Sequence, residues 1–247
     1  MAQHGKVMVF DFDGTVSLGD GPVLSYARFV AAGLEQTERA TFLADIEAGL
    51  SGVFPGCFDP LDGYDLIRLL STRFAVTDAA HSAAYTSSRA ELATAAAPVI
   101  APVGLVDFLA RARSNARLVL ATNAPDVGIA PALESLGLSD AFDVVYTAVG
   151  KPAGLDSLLD ELLANSTVED PAAALVSIGD VWTNDLEPAH RRGATTVLIG
   201  SRVDAQATPT LRCASLEELY PFLTTWLEPP HRTTSTALPT LETKVEK

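Results

Sequence analysis

Two aspartates one residue apart, Asp11 and Asp13, stand in the run Asp11-Phe12-Asp13-Gly14-Thr15, directly after the apolar residues Val7-Met8-Val9-Phe10. Side chains at i and i+2 share one face of an extended strand, so both carboxylates can reach one small pocket. Like charges that close are unfavourable unless a cation, a shared proton or a reacting group compensates them. A second acidic pair, Asp180 and Asp185, follows the run Ala174-Leu175-Val176-Ser177-Ile178-Gly179. Helix capping by Asn184 or Asp185 explains one acid of that pair but not Asp180. Thr122-Asn123-Ala124 follows Leu118-Val119-Leu120-Ala121, and a hydroxyl with backbone N–H groups at a strand-to-helix turn suits an anion. Lys151 lies in Val149-Gly150-Lys151-Pro152 and is the one lysine in the body of the chain, since Lys6, Lys244 and Lys247 lie near its ends. Hard carboxylate and carbonyl oxygens suit Mg²⁺, which commonly takes one or two carboxylates, waters and a substrate phosphate. Lys151 would balance the negative charge that remains.

These groups all follow short apolar, β-branched runs, at Val7–Phe12, Arg117–Thr122, Asp143–Ala148, Ala174–Gly179 and Thr195–Gly200. From Pro102 onward the runs alternate with helical patterns at Val103–Ala116, Val127–Leu136, Leu155–Ala164 and Asn184–Arg192. Such alternation predicts an α/β fold, a doubly wound, Rossmann-like parallel sheet with helices on both faces. Ligands bind such sheets at the carboxyl ends of the strands. Between Val16 and Ala101 no strand is expected; helical patterns cover Pro22–Ala32, Thr37–Leu50, Leu61–Phe74 and Asp78–Ala97. The expected organisation is an α/β core from residues 1–15 and 101–227, a helical module inserted at 16–100 over the tip of the first strand, and a Pro/Thr-rich disordered tail at 228–247.

Composition narrows the function. The chain has 247 residues, 48% of them hydrophobic, and a net charge of -14, which argues against a nucleic-acid or anionic-membrane partner. Cys57 and Cys213 have neither metal spacing nor a disulfide framework. With no apolar run of signal-peptide or membrane-span length, the expectation is a soluble, cytoplasmic protein.

In this order, Asp11-x-Asp13-Gly14-Thr15, Thr122, Lys151-Pro152 and Gly179-Asp180 followed by Asp185 resemble the motifs of the haloacid dehalogenase superfamily. The resemblance covers about residues 5–225, with the helical insertion similar to the family's cap. It implies a Mg²⁺-dependent phosphatase acting on a small phosphorylated metabolite. Asp11 would be the nucleophile that forms an aspartyl-phosphate, and Asp13 the acid and then the base, with its backbone carbonyl on the metal. Thr122 and the Asn123 amide would hold phosphoryl oxygens, and Lys151 would neutralise nucleophile and transferring group. Asp180 would bind the metal beside Asp11. Asp185 would be a second ligand, directly or through water, or would orient Lys151, with Asn184 in support. Asp13 argues against the dehalogenating branch, where this acid is absent. The phosphonate-cleaving branch needs a cap lysine, and none lies between Lys6 and Lys151. A phosphosugar mutase uses the same motifs and stands as the alternative; a phospho-receiver or binding protein with a similar acidic pocket is the non-enzymatic one.

The leaving group is less legible. The Gly-, Pro- and aromatic-rich segment Ser51–Tyr64 is expected to be a structured loop facing the site. Cations available for a second anionic group are Arg28, Arg39, Arg68, Arg73, Arg89 and His81, with Arg28 favoured because it follows the first motif most closely. Trp182 is expected to pack rather than stack on a ligand.

Overall fold

The structure is a computed structural model and describes residues 5–53, 59–164, 168–200 and 204–228. Among these, six parallel strands form one sheet: β1 (Lys6–Phe10), β2 (Ala116–Ala121), β3 (Val144–Tyr146), β4 (Leu175–Gly179), β5 (Thr195–Ile199) and β6 (Leu211–Cys213), in the order β3-β2-β1-β4-β5-β6. The chain order reverses between β1 and β4, the place where doubly wound sheets open a crevice for ligands. Phe10 pairs with both Leu120 of β2 and Ile178 of β4. The residues just beyond, Asp11, Thr122 and Asp180, therefore come together at one edge.

The sheet is apolar on both faces, as a parallel sheet covered by helices must be. Met8, Phe10 and Phe12 point into a core with α5 (Leu105–Ala112), α6 (Ile129–Ser135) and α9 (Tyr220–Leu227). Val7 and Val9 point the other way, onto α7 (Ala153–Ala164), whose Leu155, Leu158, Leu159 and Leu162 are buried. Between β1 and β2 lie α1 (Gly21–Ala32), α2 (Gln36–Leu50), α3 (Gly63–Ser71) and α4 (Asp78–Ala90). These four helices share a separate apolar core built on Tyr26, Val30, Phe42, Ile46, Leu66, Ile67 and Leu70. Their connections to the sheet meet at Leu18 and Ile100, which exchange backbone hydrogen bonds of 2.8 and 3.0 Å.

Several elements differ from the sequence expectation, α9 among them, because no helix is expected after the run Thr195–Gly200. The helix expected over Asp78–Ala97 ends at Ala90, because Ala93 turns to φ 64° and its N–H bonds forward to Ala97 O at 2.9 Å; Pro98 disfavours helix in the residue before it. The helix expected at Asn184–Arg192 is a π-turn at Trp182–Leu186 followed by α8 (Glu187–His190). The edge strand β6 was not foreseen, since three residues carry too little periodicity to read. The 228–247 tail beyond Glu228, Cys57 and the middle of Ser51–Tyr64 lie outside the described residues. No described helix is long and apolar enough to cross a membrane.

Candidate active site

The loop after β1 is shaped by Gly14 at φ 82°. A Cβ there would lie 2.2 Å from Asp180 Oδ2, so only glycine lets this backbone pass the carboxylate at the tip of β4. Gly179 likewise lacks the Cβ that would meet Asp185 Cβ at 2.3 Å. The π-turn after β4 brings Asp185 back against the sheet, with its N–H bonded to Val181 O at 2.9 Å. Insertions of this kind are frequent at functional sites.

Lys151 reaches into this cluster. Its Nζ donates to Asp11 Oδ1 at 2.5 Å and to Asp185 Oδ1 at 2.6 Å, and its side chain is 4% exposed. Asn123 fixes the Lys151 backbone: Oδ1 accepts the Lys151 N–H at 2.6 Å and Nδ2 donates to the Lys151 carbonyl at 3.4 Å. The Lys151–Pro152 peptide is cis. Burial alone would lower the lysine's pKa, but Asp11 and Asp185 outweigh it and hold the ammonium charged. Burial, and then the neighbouring carboxylates, push Asp11 up to about 7 against the pull of Lys151. The same causes raise Asp180 well above the usual carboxylate range.

One cation thus faces three carboxylates, and carboxylate oxygens of Asp11, Asp180 and Asp185 lie within 4.8 Å of one another. This oxygen-only donor set, cradled by Gly14, fits a hard divalent cation. Asp185 is the most committed of the three, because Oδ1 accepts from Lys151 and Oδ2 accepts the Val181 N–H at 2.9 Å.

A cavity of about 500 Å³ opens above, between the strand tips and the four-helix insertion. Asp11, Asp13, Thr122, Asn123, Lys151, Asp180, Asn184 and Asp185 line its sheet side; Tyr26, Leu61, Asp62, Tyr64, Asp65, Arg68, His81, Ser82 and Tyr85 line the helical side. Thr122 is buried and its Oγ1 accepts the Ala124 N–H at 3.0 Å. Every sheet-side residue expected from the sequence therefore meets at one place.

The helical side needs one correction. Arg28 does not line the cavity: its guanidinium is spent on Glu91 at 2.9 Å and the Ala96 carbonyl at 2.9 Å, because α1 carries it to the junction rather than to the cavity. Arg39 covers the carbonyls of Ala31, Ala32 and Leu34 at the end of α1, and Arg73 pairs with Asp45. Arg68 lines the cavity and lies 3.6 Å from Asp78. His81 is wedged between two hydroxyls. Ser71 donates to Arg68 O and so accepts from His81 Nε2–H at 2.8 Å, leaving Nδ1 to accept from Tyr26 at 2.7 Å. Burial, with Arg68 nearby, lowers its pKa, so it serves as a neutral brace.

Arg89 is the cation that sequence left undistinguished. Its side chain is 1% exposed and its Nη1 lies 3.3 Å from both Asp13 oxygens and 3.2 Å from the Tyr64 hydroxyl. The available signal was its place beside His81, Ala84 and Ser88 on the buried stripe of α4. Tyr26 and Tyr85 carried no signal; they pack with Tyr64, ring centroids 5.5–6.0 Å apart. Trp182 packs on Leu186, Leu198 and His190, outside the cavity.

The family model for haloacid dehalogenase-like hydrolases matches residues 8–187. No curated protein matches the chain. Among solved structures, a HAD phosphatase from Thermococcus onnurineus is 20% identical, covering 88% of this chain and 97% of its own, with a TM-score of 0.55. A Bacillus subtilis protein described as a HAD-hydrolase bound to magnesium is 18% identical over 90% and 100%, with a TM-score of 0.58. An L-2-haloacid dehalogenase is 18% identical over 89% and 98%, with a TM-score of 0.54. At these identities the likeness is one of fold, shared by proteins of different chemistry.

Proposed function

This chain belongs to the haloacid dehalogenase-like hydrolases, and from that premise we propose that it is a Mg²⁺-dependent phosphatase of a small phosphorylated metabolite in the cytoplasm. The observation that carries the reading is Asp13. It lines the same cavity as Asp11 yet is paired separately, Asp11 with Lys151 and Asp13 with Arg89. This arrangement supports a reading in which one carboxylate attacks and the second moves a proton. Cleaving a carbon–halogen bond needs no proton for the departing halide, whereas a phosphoester alkoxide needs one.

In this proposal Asp11 attacks phosphorus in line. The bond to the leaving oxygen breaks, Asp13 protonates that oxygen, and an aspartyl-phosphate remains. Asp13 then takes a proton from water, which attacks phosphorus and breaks the bond to Asp11, releasing orthophosphate. Thr122 and the Asn123 N–H hold phosphoryl oxygens, and Lys151 offsets charge that develops on them. Asp11, Asp180, the Asp13 carbonyl and, directly or through water, Asp185 would hold Mg²⁺, which supplies Lewis-acid charge neutralisation when bound. Residues 16–100 would act as a cap whose tyrosines and Arg68 contact the leaving group.

The test is hydrolysis of an aryl phosphate by wild type and Asp11→Asn, with Mg²⁺ and with EDTA. Expected is metal-dependent turnover in wild type and a loss of about 10³-fold or more in the variant. Turnover that survives either the substitution or the chelator refutes the reading.

A further inference from the structure

Arg89 is an expensive residue to keep. Moving a guanidinium out of water costs several kcal/mol unless its partners are well placed. Here Nε and Nη2 are buried with no hydrogen-bond partner among the described residues. The rings of Phe12 and Tyr85 sit 6.0 Å from the guanidinium carbon, at the outer limit of cation–π attraction. Among the described residues its one ionic contact is the carboxylate of Asp13, at 3.3 Å. The pair is also asymmetric: the Arg89 side chain is 1% exposed but that of Asp13 is 24% exposed, so the cation is sealed behind a carboxylate that still reaches the cavity. Tyr64 completes the grip. It accepts from Arg89 Nη1 and donates to Asp13 Oδ1 at 3.4 Å.

Every group that grips Asp13 here donates a hydrogen bond, which suits a carboxylate acting as an acceptor. Resting on the phosphatase reading above, we propose that Arg89 and Tyr64 are positioning residues that aim the Asp13 carboxylate at the hydrolytic water. They would act in the second half of the reaction. Water loses its proton to Asp13, its oxygen bonds to phosphorus, and the bond from phosphorus to Asp11 breaks. Asp13 carries that proton to the next departing alkoxide, so the cycle balances.

A positioning role confined to this half has a kinetic signature that general loss of structure lacks. The test is rapid mixing of the Mg²⁺-loaded full chain with 4-nitrophenyl phosphate, for wild type, Arg89→Met, Arg89→Lys and Tyr64→Phe. Phenolate leaves without needing much help from an acid, so kcat/KM reports transfer to Asp11 and kcat reports water attack. Expected for Arg89→Met is a fall in kcat of about 10²-fold, the size of a small misplacement of a reacting group. A burst approaching one nitrophenolate per site and nearly unchanged kcat/KM should accompany it. Arg89→Lys should recover part of kcat, and Tyr64→Phe should show the burst more weakly; both keep the test open if Arg89→Met does not fold. Parallel falls in kcat and kcat/KM without a burst, or no change in any variant, overturn the role while leaving the phosphatase reading intact. Absence of turnover in wild type overturns both.

Discussion

Replacing Lys151 with methionine keeps the alkyl stem and deletes the one cation set among Asp11, Asp180 and Asp185. With N–O distances of 2.5 and 2.6 Å, each attraction is roughly 6 kcal/mol at an effective dielectric of 20. The desolvation of a buried ammonium offsets much of that. Removing one partner of a buried ion pair typically destabilises by about 3–5 kcal/mol, a large part of the ~5–15 kcal/mol that holds a domain together. The deficit should depend on metal, because a divalent ion at the same carboxylates replaces the lost charge. At a hundred times its dissociation constant a ligand adds about 2.7 kcal/mol. Urea denaturation at pH 8 should therefore show Lys151→Met less stable by about 3–5 kcal/mol in EDTA, and since Mg²⁺ stabilises wild type as well, the gap should narrow in excess Mg²⁺ only by the variant's tighter hold on the ion. Activity should stay about 10²–10³-fold low even in excess Mg²⁺, the usual loss for one electrostatic stabiliser of a transition state. A variant as stable as wild type in EDTA, or one whose turnover recovers along with its stability, refutes the assignment of Lys151 as the neutralising charge.

Metal-free wild type should lose stability as pH rises from about 4 to about 7. Asp11 is raised from 3.8 to about 7 on folding, so its contribution is present below its unfolded pKa and lost as pH climbs through the folded one. The shift is worth up to about 4 kcal/mol. Denaturation in EDTA across that range checks it, and flat stability would contradict the burial of Asp11. Gly14→Ala should cost about 1–2 kcal/mol from the positive φ alone. Because its Cβ falls 2.2 Å from Asp180 Oδ2, it should also weaken Mg²⁺ affinity, measured by calorimetry, more than a distant substitution of equal destabilisation.

The parts legible in the sequence are those fixed by strand ends. Asp11, Thr122 and Asp180 each follow a run whose apolar character identifies a buried strand, Lys151 follows the β-branched run of the edge strand β3, and parallel pairing then gathers the tips. The insertion was legible as helical because α1–α4 keep their own apolar face. What escaped depends on contacts between distant segments. Arg28 and Arg89 are alike by composition, and α1 turns one to the junction while α4 buries the other against Asp13. The turn after β2 points to the Asn123 backbone amide, yet its side chain ties down Lys151, a partner 28 residues away. The π-turn that swings Asp185 onto Lys151 has no local pattern separate from an ordinary helix start.

The strand order carries a consequence for how this chain assembles. β1 is synthesised well before its partners, Ala116–Leu120 and Leu175–Ile178. Until those residues exist, Lys6–Phe10 is an apolar edge with nothing to pair, the kind of segment that aggregates. The four helices between pack on one another, α1 against α4 above all, and share a core that needs none of the later strands. Once folded they bring Leu18 and Ile100 into hydrogen-bond contact. The stretch of loose chain that must close before β1 meets β2 shrinks from residues 11–115 to the segments 11–17 and 101–115 that flank the bridge, and the entropy of closing it falls accordingly. The helical insertion would thus act as a folding clamp for the nascent sheet before any substrate reaches the cavity beneath it.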